Sequence, residues 1–154
     1  MITNLDKITL KNIYEELIIF IISSSAGLLF LTYLINLPKL VTGEGKIVKE
    51  YYIERFPSSI IYDFLFIFIY FIIAGIFMRI LKAKRNIFKL LIVGLITIIL
   101  TGYACYYFIS RKPTSSFFSR WFHTVKYSSI IYDVILLVFI YYIFLYYKNK
   151  LKQI

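Results

Sequence analysis

The sequence predicts an all-α polytopic membrane protein with four transmembrane helices, forming a single transmembrane domain over residues 1–154. Three observations carry this. Hydrophobic residues make up 60% of the 154 positions, against about 45–50% in ordinary soluble domains. A soluble chain this short has too little volume to hide so much apolar surface, whereas lipid is itself an apolar solvent. The apolar residues also fall into four long runs, and the charges lie between and beside them.

The first run, Leu17 to Leu37, has 21 residues and no charge, and about 20 residues cross a hydrocarbon core. A signal peptide would have a shorter apolar region and a basic leader. Asp6, Glu15 and Glu16 stand there instead, so a retained helix is expected. The mixed segment Met1 to Glu16 reads either as an interfacial helix or as a frayed terminus. Pro38 is expected to end the first span. A loop through Thr42-Gly43-Glu44-Gly45-Lys46 then leads to Pro57.

The second span is expected over Ile60 to Leu81, with Asp63 near its start. The basic stretch Arg79 to Lys89 joins it tightly to a third, uncharged span, Leu90 to Ile109. Such a short connection makes the two antiparallel neighbours. The segment Arg111 to Tyr127 has four basic residues, no acid, and several aromatics including Trp121. It is expected along the headgroup zone, with Arg120, Trp121 and Lys126 as interfacial residues. The fourth span is Ile130 to Tyr147, followed by a basic tail of Lys148, Lys150 and Lys152.

Four spans place both termini on one side. That side carries ten Lys and Arg, including the dense middle connection, and the other carries eight. The positive-inside tendency therefore puts the termini on the cytoplasmic or equivalent side. The formal charge of +10 is read as attraction to anionic lipid headgroups, because the basic residues flank the spans. Nucleic acid is not an expected partner.

Ser58-Ser59-Ile60-Ile61-Tyr62-Asp63 recurs identically as Ser128-Ser129-Ile130-Ile131-Tyr132-Asp133. The repeat suggests two tandem two-helix hairpins in the same orientation, although an alphabet biased to Ile, Tyr and Ser can also produce it. It sets Asp63 and Asp133 at one depth, about a turn inside the interface. In the favoured reading each carboxylate sits in the first turn of its helix, welcomed by free N–H groups and the dipole, with the serines helping to cap. Arg55, Arg120 and Lys126 stand near enough in sequence to neutralise them. In the alternative the pair faces the bundle interior and binds a cation or a partner's arginine.

Small residues let helices approach closely in lipid. Ser23, Ala26 and Gly27 in span one, and Gly94, Thr97, Thr101 and Ala104 in span three, are the expected contact faces. Spans two and four are bulky all round and are expected on the rim or facing lipid. Cys105 reads as a small packing residue, and His123 as a headgroup-level side chain. With one Cys and one His, no zinc or iron–sulfur cluster is expected, nor any cofactor. Thr101-Gly102-Tyr103-Ala104 lies in an unbroken apolar run and lacks a second glycine, unlike a potassium filter. Gly43-Glu44-Gly45-Lys46 has the wrong spacing for a phosphate loop. No nucleophile–base pair is seen, so an enzyme is not expected.

The order of elements includes a span ending near Pro38, a loop reaching Phe56-Pro57-Ser58-Ser59, a tight basic middle loop and a basic tail. It resembles the immunity proteins that protect bacteria from pore-forming colicins. That resemblance implies four inner-membrane helices, both termini in the cytoplasm, and binding of another membrane-inserted protein without catalysis. It covers most of the chain at the level of spans and loops, rests on no specific motif, and assigns no functional residue. The exact repetition of the six-residue string departs from that pattern. Two other classes fit the composition. One is an accessory structural subunit of a large assembly in a respiratory or virion membrane. The other is a small homo-oligomeric channel with Asp63 and Asp133 at its mouth.

Overall fold

The computed structural model describes residues 10–151. Among them are seven α-helices: α1 (Leu10–Gly27), α2 (Leu37–Thr42), α3 (Gly45–Lys49), α4 (Phe56–Ile80), α5 (Asn86–Ile109), α6 (Phe117–Val125) and α7 (Ser128–Leu151). Wider π-helical turns cover Leu28–Leu34 and Glu50–Glu54. Four stretches are long and apolar enough to cross a membrane: Ile13–Leu34, Phe56–Ile80, Asn86–Ile109 and Ser128–Lys150. The protein is an all-α, four-span integral membrane protein. Residues 1–9 of the N-terminal segment, and Lys152 of the tail, lie outside the described residues.

The helices begin earlier than the apolar runs do. Span two opens at Phe56 with proline among its first two helical positions, where the missing N–H costs nothing. Spans three and four open at the polar residues Asn86 and Ser128. A polar first turn leaves no trace in apolar length.

Pro38 does not end span one. The helix stops at Asn36, which takes a left-handed conformation with φ 55°, a position that Asn tolerates better than most residues. Pro38 then sits buried at the start of α2. The α4–α5 connection closes on Lys82 with φ 50°, where Ala83 N–H donates to Met78 O at 2.9 Å and Lys82 N–H to Arg79 O at 3.2 Å. These two bonds form a Schellman cap with lysine where glycine is usual.

Helix α7 is the centre of the bundle. It packs against α5 and α1, and α2 leans on it near the long loops. This corrects the expectation for span four, which is not a rim helix; span two, as α4, is. The reason is the shape of the contacts. A Cβ built on Gly27 would overlap Ile140 Cγ1, and one on Gly94 would meet Val138 at 3.5 Å and Val134 at 4.0 Å. One on Gly102 would meet Ile130 at 3.8 Å. Bulky β-branched side chains of α7 fill notches that small residues leave on α1 and α5. Ser23, Thr97 and Thr101 are buried on those faces. Ala26 is exposed, and Ser24 takes its place beside Ser23. Ala104 is half-buried and lines a cavity.

The two hairpins do not pack alike. Helices α5 and α7 meet along their lengths, whereas α1 and α4 stand further apart, with Phe20 set edge-on to Phe64, Phe68 and Phe71.

Candidate functional site

Both long connections fold over one end of the bundle. Ser116 caps α6 by accepting from Ser119 N–H at 3.3 Å. Helix α6 is strongly amphipathic and turns Ser119, Trp121 and Val125 inward. Trp121 is therefore not a lipid-facing anchor, as its place in a basic aromatic loop suggests. It packs on Tyr51 (ring centroids 5.4 Å), Phe117 (5.9 Å) and Tyr52 (6.5 Å). Tyr51 also stacks on Phe117 at 4.9 Å. This aromatic roof joins the first long connection to the second.

One ion pair reinforces it. Arg120 donates to both oxygens of Glu50, at 2.8 and 2.5 Å, and Arg55 Nε donates to the same carboxylate at 3.2 Å. The Arg120 hydrogen bond is the main reason Glu50 is held below the usual carboxylate range, and Arg55 adds to it. Burial raises the Tyr51 phenol, with nearby carboxylate charge adding to the effect, and the phenol stays a neutral donor.

Under the roof lies a cavity of about 290 Å³ between α4, α5, α6, α7 and the π turn at Glu50–Glu54. Its walls are mainly aromatic and aliphatic, and its polar groups are few: Asp63, Asp133, Thr101 and the hydroxyls of Tyr51, Tyr52, Tyr70 and Tyr132. Tyr51 OH donates to Asp63 Oδ1 at 2.7 Å. Thr101 Oγ1 donates to Asp133 Oδ2 at 2.8 Å and also bonds Tyr70 OH at 2.8 Å. A second chain of hydroxyls runs from Thr32 through Tyr132 to Tyr52, at 3.1 and 2.8 Å. Every one of these bonds joins different elements, so the hydroxyls hold the cavity walls together.

The aspartates are not helix caps. Asp63 is the eighth residue of α4 and Asp133 the sixth of α7, about 10 and 8 Å along their axes. The repeated serines donate rather than accept. Ser58 and Ser59 bond the carbonyls of Arg55 and Phe56, both at 3.0 Å, while Ser128 and Ser129 bond those of Val125 and Lys126. The repeated string thus builds the same local turn twice, with the third residue back as acceptor each time. Its tyrosines diverge: Tyr62 is 43% exposed and Tyr132 2%.

Nor do the basic residues neutralise the pair. Arg55 and Arg120 are turned to Glu50, and Lys126 is an exposed residue at the end of α6, with φ 50°. Among the described residues no cation pairs with either aspartate. The two carboxylates line one cavity between the helices. His123 is half-buried on α6 with Nε2 enclosed and unpartnered. Cys105 is fully buried, with Sγ 3.1 Å from Ser129 Oγ.

Sequence reasoning missed Tyr51, Tyr52, Tyr70 and Tyr132 as the polar lining. Fifteen tyrosines in an apolar alphabet hide the few that matter. Their hydroxyls reach the site from three different elements. The chain matches no protein-family model, no curated protein and no solved structure.

Proposed function

We propose that this chain is a non-catalytic integral membrane interaction protein that engages another membrane-inserted protein at its long-loop end. One observation supports the reading above others. Two carboxylates line a largely apolar cavity, held by hydroxyl donors, with no cation from the described residues. Acidic groups are costly inside a bilayer and stay where they have a use. The exposed side chains of the spans, by contrast, are mainly aliphatic and aromatic. The small residues Ser23, Gly27, Gly94 and Thr97 are consumed by contacts within the bundle.

The form of this function we favour is immunity against a pore-forming toxin, with the toxin's inserted helices as partner and anionic headgroups around the basic connection. The membrane is then a bacterial inner membrane, with both termini cytoplasmic. The test is the mass and composition of the native particle after mild detergent extraction, for the natural chain and for the Asp63→Asn/Asp133→Asn variant. The expected result is a partner at fixed stoichiometry that the variant loses while staying monodisperse. A large assembly of many chains that the variant still joins would make the protein an accessory subunit of a respiratory or virion membrane. No partner, together with no protection from any pore-forming toxin in a panel, would end the interaction reading.

A further inference from the structure

Taking the cavity as the recognition site just proposed, we infer that it binds a planar organic cation of the guanidinium or amidinium type, carried on an apolar body. The first support is the unused acceptors. Each aspartate spends one oxygen on a hydroxyl of the chain, Asp63 Oδ1 on Tyr51 and Asp133 Oδ2 on Thr101. The second oxygen of each has no donor among the described residues, and both side chains line the cavity. Two carboxylates offering one free oxygen apiece from α4 and α7 call for a cation with several N–H donors.

The second support is the wall. Most of it is ring or aliphatic surface, including Phe66, Phe118 and Trp121. A hard metal ion favours a cluster of charged oxygen ligands, and among the described residues no three His, Cys, Asp or Glu side chains come together to hold one. A delocalised cation is weakly hydrated, stacks on ring faces and gives its N–H groups sideways to carboxylates. The volume points the same way. About 290 Å³ is at the small end of ligand pockets, roughly 300–1,000 Å³, and suits one ring plus one planar cationic group.

Such a group has two sources, an arginine side chain of the partner or a free small molecule. Benzamidine serves as the probe for both and benzamide as its neutral isostere. The full chain is placed in phosphatidylcholine nanodiscs, so that no anionic lipid gathers the probe. Trp121, the sole tryptophan, lines the cavity and reports occupancy by fluorescence, with calorimetry as a second readout.

The expected result is saturable binding of benzamidine, at least tenfold tighter than benzamide. Each of Asp63→Asn and Asp133→Asn weakens it by about tenfold or more, the worth of one hydrogen bond to a charged group. Glu54→Gln, at an exposed acid beside the roof, leaves it unchanged. No saturable signal by either readout, equal binding of benzamide, or indifference to both aspartate variants would overturn the inference. Each variant is compared only where its circular dichroism and elution match the natural chain. Release of a co-purified partner by benzamidine assigns the cation to that partner's arginine. Probe binding with no partner ever found keeps the site, assigns it to a free cation, and removes the interaction reading instead.

Discussion

Replacing Gly27 by alanine should destabilise the bundle, and the same change at Gly75 should not. A Cβ at Gly27 overlaps Ile140 Cγ1 and lies 3.2 Å from Cδ1, whereas at Gly75 nothing stands within 4 Å. Ile140 is fully buried at the centre of α7. Its Cγ1 is close to the backbone on a side chain stiff at χ1, so relief requires α1 and α7 to move apart. Overpacking of this kind costs about 1–3 kcal/mol. Removing a helical glycine returns about 0.5–1 kcal/mol at either position. Gly75→Ala therefore gains that amount, and Gly27→Ala falls below it by about 1–3 kcal/mol. Reversible unfolding in mixed micelles of mild detergent and dodecyl sulfate, followed by circular dichroism, measures both. Repeating Gly27→Ala in an Ile140→Ala background removes the overlapping atom, and the penalty should vanish there. Equal effects at the two glycines, or an undiminished penalty in that background, would refute the close approach of α1 to α7.

Three further outcomes follow from the polar layer and the core. Glu50 is held below its unfolded value by Arg120, so the stability it adds is present above the unfolded carboxylate value and is lost as pH falls through the folded one. Thermal midpoints of the natural chain and Glu50→Gln should differ near neutrality and converge in acid. Thr101→Val leaves Asp133 and Tyr70 without a shared partner, and should cost about 0.6–2 kcal/mol in the same micellar unfolding assay. A value near zero would mean that the hydroxyl is replaceable. Cys105 is 0% exposed, so a maleimide should label it only after denaturation; rapid labelling of the native protein would contradict its burial.

The four spans were legible because crossing lipid imposes a length of apolar sequence that nothing else in a short chain explains. Their order of burial was not, because small residues on one helix mark only one side of a contact. Contact in lipid needs a notch on one helix and a ridge on the other. The ridge was present in the sequence: Ile130, Val134 and Val138 recur every fourth residue of α7, facing Gly102 and Gly94 of the antiparallel α5. Matching β-branched ridges against glycine notches would have placed span four at the centre. The acids of the site were visible as a repeated pair, but their surroundings were not. Tyr51 lies 12 residues from Asp63, and Thr101 lies 32 from Asp133. No periodicity links them. The Glu50–Arg120 pair spans 70 residues and has no local signature at all.

The same arrangement explains why the cavity sits where it does. Helix α4 is the least buried span, and α1 sets the ring of Phe20 against it. Near the cavity it is tied by hydroxyls: Tyr51 to Asp63, and Tyr70 to Thr101. Each such bond is worth only about 0.6–2 kcal/mol in lipid, less than a packed interface supplies. Asp63 belongs to this outlying helix and Asp133 to the central one. Anything that bridges the two carboxylates therefore fastens α4 to α7 across the cavity. A ligand that binds only the folded bundle stabilises it by about 2.7 kcal/mol at a hundredfold excess over its dissociation constant. At this site that stabilisation falls on the least buried span. Occupancy should accordingly protect the amides of α4 from hydrogen exchange more than those of α5, and uniform protection across both helices would refute this.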